Sequence, residues 1–96
     1  MSRRNYLISY DISDDKRRTK VFHLLRDQGD HAQFSVFFCE LTKMELLRLR
    51  AKIGEAIHQR QDQVMILDLG ESDGSFEVGL ECLGRAFEPT RKVLVV

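Results

Sequence analysis

An aspartate followed closely by positive charge is the feature of this sequence best suited to chemistry. Asp11 ends the apolar segment 6–10, and Arg17, Arg18 and Lys20 come soon after it. A carboxylate at the end of a strand can hold Mg²⁺, which often takes only one or two carboxylates and fills its other positions with water. Arginine and lysine side chains bind phosphates. The combination indicates phosphodiester chemistry or nucleic-acid binding.

Each of these residues also has an ordinary structural explanation. Asp11 could cap or bend the turn between the strand and the following helix. Asp14 and Asp15 suit the N-terminal cap and first turn of that helix, where a carboxylate meets the positive end of the helix dipole. The basic residues beyond them could simply form a solvated helix face. The residue types alone leave both explanations open.

The composition is that of one ordinary globular domain spanning residues 1–96. Of its 96 residues, 43% are hydrophobic and 31% are charged, and the formal net charge is zero. The charge is unevenly distributed, because residues 1–60 hold twelve Lys and Arg against eight Asp and Glu, whereas residues 61–96 hold three against seven. We therefore expect any phosphate-binding surface in the first two-thirds of the chain.

The cysteines and the apolar segments predict a cytoplasmic protein that does not enter a membrane. Cys39 and Cys82 form no CxxC pair and no metal-binding spacing with histidine, so we expect reduced thiols. The first apolar run is short and ends at an acidic residue, which is unlike a secretion signal. No apolar segment approaches the roughly 20 residues of a membrane span.

The spacing of apolar residues changes along the chain between the period of a strand and that of a helix, and it predicts the elements that must position Asp11. The patterns predict strands over 5–11, 31–41, 64–69, 76–82 and 92–96, and helices over 14–28 and from 42 to about 59. The segment 31–41 fits either one kinked strand or two short ones. Gly29 fits the position that ends the first helix. The order predicts an α+β, ferredoxin-like two-layer sandwich with an extra C-terminal strand.

Alternation within 31–41 places apolar side chains on both faces of that strand. Phe34, Val36 and Phe38 are expected on one face, and Ser35 and Phe37 on the other. We expect Phe37 to need a cover, either another chain or a nucleic-acid base, and Ser35 to be able to hydrogen-bond a phosphate. Together with the surplus apolar strand at the C-terminus, this face predicts a dimer.

Three segments at matching spacing resemble the CRISPR-associated Cas2 family. They are YLISYDI at 6–12, DKRRTKV at 15–21 and QFSVF at 33–37. The resemblance covers most of residues 5–69, and the C-terminal third matches mainly in pattern. It implies a ferredoxin-like β-α-β-β-α-β fold and a homodimer in which the strand at about 91–96 pairs with the partner.

The resemblance also implies a function and a set of site residues. It implies an Mg²⁺-dependent endonuclease of RNA or DNA that acts in spacer acquisition, where it bridges the CRISPR integrase. The family's metal aspartate maps onto Asp11, preceded by Tyr10, its basic helix positions map onto Arg18 and Lys20, and its strand aromatic maps onto Phe37. Lys20 stands where an arginine is common, which keeps the charge but loses the bidentate fork.

Two functions remain open at this point. In one, two copies of Asp11 share a Mg²⁺ ion across the dimer axis and the protein cleaves a phosphodiester bond. In the other, a non-catalytic homodimer binds DNA through its basic residues and docks the CRISPR integrase, without needing Asp11. The sequence does not choose between RNA and DNA as the substrate.

Overall fold

Four strands and two helices account for most of the described chain. The computed structural model describes residues 2–72 and 81–85. In chain order, its elements are β1 (Arg3–Asp11), α1 (Asp15–Arg26), β2 (Gly29–Gln33), β3 (Val36–Thr42), α2 (Lys43–Ala56) and β4 (Gln63–Glu71).

The strands form one antiparallel sheet in the order β2-β3-β1-β4. The sequence β-α-β-β-α-β with both helices packed on one face of the sheet is the ferredoxin-like arrangement, so the predicted fold class is confirmed. β1 lies between β3 and β4, and Asp11 therefore stands at the end of a central strand.

The core lies between the sheet and the helices, and the alternation of each strand decides what enters it. Tyr6, Ile8 and Tyr10 of β1 are buried and share one face of the strand, as strand alternation requires. From the helices, the buried hydrophobic residues are Val21, Leu25, Leu49, Ile53 and Ala56. Leu46 and Ile57 are partly buried and pack against this core.

The opposite face of the sheet, which we call the open face, is also apolar. Leu7 of β1 lies between Phe38 of β3 and Leu67 of β4, and Ser9 lies between Val36 and Met65. Met65 is 57% exposed and Leu67 is 56% exposed. Since contiguous apolar surface of this kind usually marks a site of interaction, the open face is a candidate interface.

Both helices begin at a side-chain cap. The side chain of Asp14 accepts a hydrogen bond from the backbone N–H of Arg17 at 2.9 Å. At the start of α2, Thr42 and Glu45 form a reciprocal capping box, with bonds of 2.9 and 3.2 Å. The start of each helix is thus determined by side chains close to it in the sequence.

The end of α1 differs from the prediction. The helix ends at Arg26 with Asp27 as its C-cap, and Gly29 is already the first residue of β2. A Cβ atom on Gly29 would lie 2.3 Å from the carbonyl oxygen of Phe38 and 2.6 Å from the sulfur of Cys39. Gly29 is therefore required by close approach to β3, and its predicted role in ending the helix is wrong.

The segment 31–41 is two strands joined by a tight turn, and this changes the two faces. Phe34 lies in the turn and is 82% exposed, whereas Phe37 is 0% exposed and faces the helices. The expectation that Phe37 needs another chain or a base as its cover is wrong, because Phe22 of α1 and His31 of β2 already pack against it. Val36 and Phe38 do lie on the face opposite Phe37.

Some expectations fall on other parts of the chain. The predicted strands over 76–82 and 92–96 lie outside the described residues, apart from Glu81 and Cys82, which belong to no strand. Both cysteines are free thiols, and Cys39 is buried whereas Cys82 is exposed. Neither α1 nor α2 has the length and apolar character needed to cross a bilayer.

Candidate functional site at the end of strand β1

Asp11 is an exposed carboxylate on the same side of the sheet as the open face. It is the last residue of β1 and pairs with Gln63 of β4. Ser9 and Leu7 precede it on that face, as alternation predicts. Oxygen ligands suit Mg²⁺, and an exposed carboxylate leaves room for the waters that this ion retains. The donor type and exposure of Asp11 therefore fit a magnesium ligand.

A complete metal site needs ligands from elsewhere. Within residues 2–72 and 81–85, no group of three or more His, Cys, Asp or Glu side chains could hold an ion. Asp11 would have to share the ion with water, with a phosphate or with a second copy of the chain. Its position on the face that carries Leu7 and Leu67 favours the last of these, because that apolar face is suited to pairing with itself.

Arg18 fixes the loop that leaves Asp11. Its Nη1 donates to the carbonyl oxygens of Ile12 and Ser13 at 3.1 Å each, and its Nη2 donates to the carboxylate of Asp15. The Arg18 side chain is about one-third exposed. Arg18 thus brings positive charge to the end of β1 and is held there by backbone bonds, so it would meet a phosphate without losing much freedom.

Arg17 points elsewhere. Its guanidinium donates to both carboxylate oxygens of Asp62, at 2.7 and 3.2 Å, and to the side chain of Gln61 at 3.2 Å. The Asp62 side chain is 0% exposed. This bidentate pair ties the start of α1 to the connection between α2 and β4, so much of the Arg17 charge is neutralised inside the protein. Lys20, by contrast, lies exposed on α1.

The pair makes stability depend on pH. The hydrogen bond from Arg17 is the main reason that the pKa of Asp62 is lowered, and a bond from the backbone of His58 acts in the same direction. A carboxyl group whose pKa is lower in the folded protein stabilises the fold above its unfolded pKa of about 3.9. That contribution is lost as the pH falls through the lower folded pKa.

Asp62→Asn is therefore expected to lower the melting temperature by several degrees at pH 7, and by progressively less below about pH 4. Thermal unfolding of both proteins between pH 2 and pH 8 measures this difference. Asp68→Asn is the matched control, because the Asp68–Arg4 pair is exposed and such pairs contribute little. Equal melting temperatures for wild type and Asp62→Asn at pH 7 would contradict the assignment.

Tyr10 and Ser35 meet next to Asp11. The backbone N–H of Tyr10 donates to the carbonyl oxygen of Ser35 at 3.1 Å, which attaches the β2–β3 turn to the end of β1. Tyr10 is 7% exposed. Burial raises the pKa of Tyr10, and the nearby charge of Arg18 opposes that effect only in part. The phenol is therefore a neutral hydrogen-bond donor at physiological pH.

The predicted site residues thus separate into two groups. Asp11, Tyr10, Arg18 and Ser35 gather at one end of the sheet, whereas Phe37 is enclosed in the core. Sequence reasoning missed Asp62, because nothing in the local pattern links it to a residue 45 positions away. It also missed His31, whose ring stacks on Phe37 with 4.8 Å between centroids.

Comparison with known proteins decides the family. The family model described as CRISPR associated protein Cas2 matches residues 4–75, a range that contains nearly all of β1 and every later element through β4. The chain belongs to the Cas2 family. The resemblance seen in the three sequence segments is therefore confirmed.

Individual Cas2 proteins agree with this assignment. The CRISPR-associated endoribonuclease Cas2 of Geobacter sulfurreducens is 31% identical over 91 residues, which cover 95% of each chain. The endoribonuclease Cas2 2 of Thermodesulfovibrio yellowstonii is 45% identical over 64 residues, or 67% of this chain and 70% of the relative. The crystal structure of Streptococcus pyogenes Cas2 has a TM-score of 0.74 at 27% identity and covers 83% of this chain and 99% of that one.

Proposed function

We propose that this Cas2-family protein is an Mg²⁺-dependent endonuclease of the CRISPR adaptation machinery, and that it works as a homodimer in the cytoplasm. The observation that carries the proposal is the exposed Asp11 carboxylate at the end of a central strand, on the apolar open face. Family membership supports the reaction class, since relatives are named endoribonucleases and, in Thermus thermophilus, an endonuclease. RNA and DNA are both substrates to test.

The open face supports the proposed dimer. Two copies that pack through Leu7, Met65 and Leu67 would cover side chains that are otherwise half-buried or exposed, at a gain of about 25 cal/mol for each Å² of apolar surface buried. Asp11 lies on the same face, so this packing would bring two Asp11 carboxylates to one interface. Pairing of residues 91–96 with the partner is part of the proposal.

The positions of the residues support a role for each of them. When bound, Mg²⁺ would supply charge neutralisation at the scissile phosphate and a more acidic water. The two Asp11 carboxylates would hold the ion. Arg18 would hold the phosphate backbone beside them, since its own backbone bonds fix its position, and exposed Lys20 would add charge to the same helix. Ser35, next to Tyr10, is a further candidate donor to phosphate.

The second candidate function is a non-catalytic adaptor that binds DNA and bridges the CRISPR integrase. Its support is the lack of a built metal site, because no group of three or more His, Cys, Asp or Glu side chains within residues 2–72 and 81–85 could hold an ion. In this role the dimer and the basic residues matter, and Asp11 does not. The two candidates therefore make opposite predictions for Asp11 and the same prediction for the dimer.

A charge placed on the open face tests the shared site. Leu67→Glu is expected to convert a dimer of about twice 11.2 kDa into a monomer, and to abolish Mg²⁺-dependent cleavage although Asp11 is intact. Sedimentation velocity at micromolar concentration, with cleavage of RNA and duplex DNA measured on the same samples, checks both results.

Leu47→Glu is the matched control, since Leu47 is 44% exposed on α2 and does not lie on the sheet. It should remain dimeric and active. A wild-type protein that sediments as a monomer would overturn the dimer, and a monomeric Leu67→Glu protein that still cleaves would overturn the shared metal site.

A further inference from the structure

A second site lies on the helix side of the sheet, close to Asp11 but separate from it. A pocket of about 420 Å³ opens between α1 and the β2–β3 hairpin. This volume is within the range of small-ligand sites. We call it the hairpin pocket. It is lined by Tyr10, Arg18, Thr19, Phe22, His31 and Phe34, and all of these except Thr19 have flat side chains.

One wall of the hairpin pocket is rigid. The ring of His31 stacks on buried Phe37, with 4.8 Å between centroids and 23° between planes. Phe22 meets both of these rings edge-on, at 5.3 Å from His31 and 5.6 Å from Phe37. Since Phe37 is completely buried, this aromatic wall is held in place before any ligand arrives. Preorganised walls reduce the entropic cost of binding.

The other wall is Phe34, and no contact among residues 2–72 and 81–85 requires it to be apolar. It stands at the tip of the hairpin with 82% of its surface exposed. Its carbonyl oxygen lies 3.3 Å from Nε2 of His31, so the turn is attached to the rigid wall while the Phe34 ring remains free. An exposed aromatic ring beside a pocket is a ready stacking surface for another flat group.

The floor of the hairpin pocket offers hydrogen-bond donors. Tyr10 lines the pocket, and among residues 2–72 and 81–85 no group hydrogen-bonds its hydroxyl. This hydroxyl is therefore free to donate a hydrogen bond to a ligand in the pocket. Arg18 uses three N–H bonds on Ile12, Ser13 and Asp15, and no described residue accepts from its Nε.

We propose that the hairpin pocket binds one unpaired nucleobase of a single-stranded RNA or DNA, stacked against Phe34 and Phe22. A base supplies the flat π-face and the hydrogen-bond acceptors that these residues can use. Tyr10 and Asp11 are consecutive residues on opposite faces of the sheet, so a base in the pocket leaves its phosphate near the end of β1, where Arg18 is held. The inference rests on the proposed nucleic-acid function and adds a preference for unpaired nucleotides.

Phe34→Ala tests the pocket without disturbing the core, because Phe34 is exposed. We expect this variant to bind a labelled 12-nucleotide single strand about 10-fold more weakly, as loss of one stacked base predicts. Its affinity for the same sequence as a blunt duplex should be unchanged. Fluorescence anisotropy in the presence of chelator measures binding without cleavage, and a single 2-aminopurine reports stacking through its quenched emission.

Two variants complete the design. Phe34→Trp should keep single-strand binding, because it keeps a ring. Met44→Ala should also keep it, because Met44 is exposed on α2 and does not line the pocket. If wild type and Phe34→Ala bind the single strand with equal affinity, the pocket is not a base site. The proposed function would still stand in that case, provided that the protein binds duplex and cleaves nucleic acid. If the wild type binds neither the single strand nor the duplex, both the hairpin pocket and the proposed function are wrong.

Discussion

Asp11→Asn is expected to reduce Mg²⁺-dependent cleavage at least ~100-fold while leaving the fold, the dimer and nucleic-acid binding intact. Asparagine keeps the size of the side chain but removes the charge that holds the ion, and metal catalysis supplies several kcal/mol to such reactions. Asp11 is exposed and makes no ion pair within the described residues, so its charge is not needed for folding. Binding should be equal or slightly tighter, because two nearby carboxylates repel each other and the phosphates.

The measurement compares cleavage and binding side by side, with Mg²⁺ and with chelator, on the same highly purified samples. Asp27→Asn is the matched control, because Asp27 is also an exposed aspartate but lies at the opposite end of α1. It should cleave as the wild type does. Cleavage that persists in Asp11→Asn would point to another site or a contaminating nuclease, and would leave the adaptor role as the better account.

This experiment separates the two functions because they share everything except Asp11. Both need the dimer, and both need positive charge near the end of β1. Only hydrolysis needs a carboxylate there. If Asp11→Asn removes cleavage and keeps binding, the protein is an endonuclease. If the wild type binds nucleic acid but does not cleave it in Mg²⁺, the protein is an adaptor.

The parts of the structure that sequence predicts well are those controlled by near neighbours. Thr42 and Glu45 are three positions apart, and their reciprocal hydrogen bonds start α2 where the pattern indicates. Tyr6 and Tyr10 share a face because strand side chains alternate, and both are buried. In each case the two residues are three or four positions apart, so their relation can be read from the order of the residues.

The parts that sequence does not predict depend on which surfaces meet. Alternation places Phe37 opposite Phe38, but it does not say which of the two faces the helices cover. The helices cover Phe37, so its predicted exposure was wrong. The ion pair of Arg17 with Asp62 and the aromatic contact of His31 with Phe22 likewise join separate elements. These contacts form only in the assembled fold. The Cas2 resemblance implies the order of strands and helices in that fold but not its side-chain contacts.

Gly29 is a further residue whose role depends on a contact between separate strands, which the local sequence does not show. Gly29→Ala is expected to destabilise the protein by about 3 kcal/mol, near the upper part of the range for overpacking. The new Cβ would lie 2.3 Å from the carbonyl oxygen of Phe38 and 3.0 Å from the Cα of Cys39. These are backbone atoms of β3, so relief requires β2 to move away from its partner strand.

Gly54→Ala makes the same chemical change where the opposite sign is expected. Gly54 lies inside α2, and a Cβ there would meet nothing within 4 Å. Alanine favours the helix by about 0.5–1 kcal/mol over glycine, so this variant should be more stable than the wild type. The pair is informative because neither substitution changes charge, polarity or the open face.

Chemical or thermal unfolding of the three proteins measures both effects, with Gly29→Ala melting roughly 10–20 °C below the wild type. Displacement of β2 would also move His31 away from Phe37 and widen the hairpin pocket, so single-strand binding should weaken together with stability. If Gly29→Ala instead melts with the wild type, β2 must shift at little cost. The aromatic wall that it carries would then be too loosely held to act as the preorganised base site, whereas the metal site at Asp11 on β1 would be unaffected.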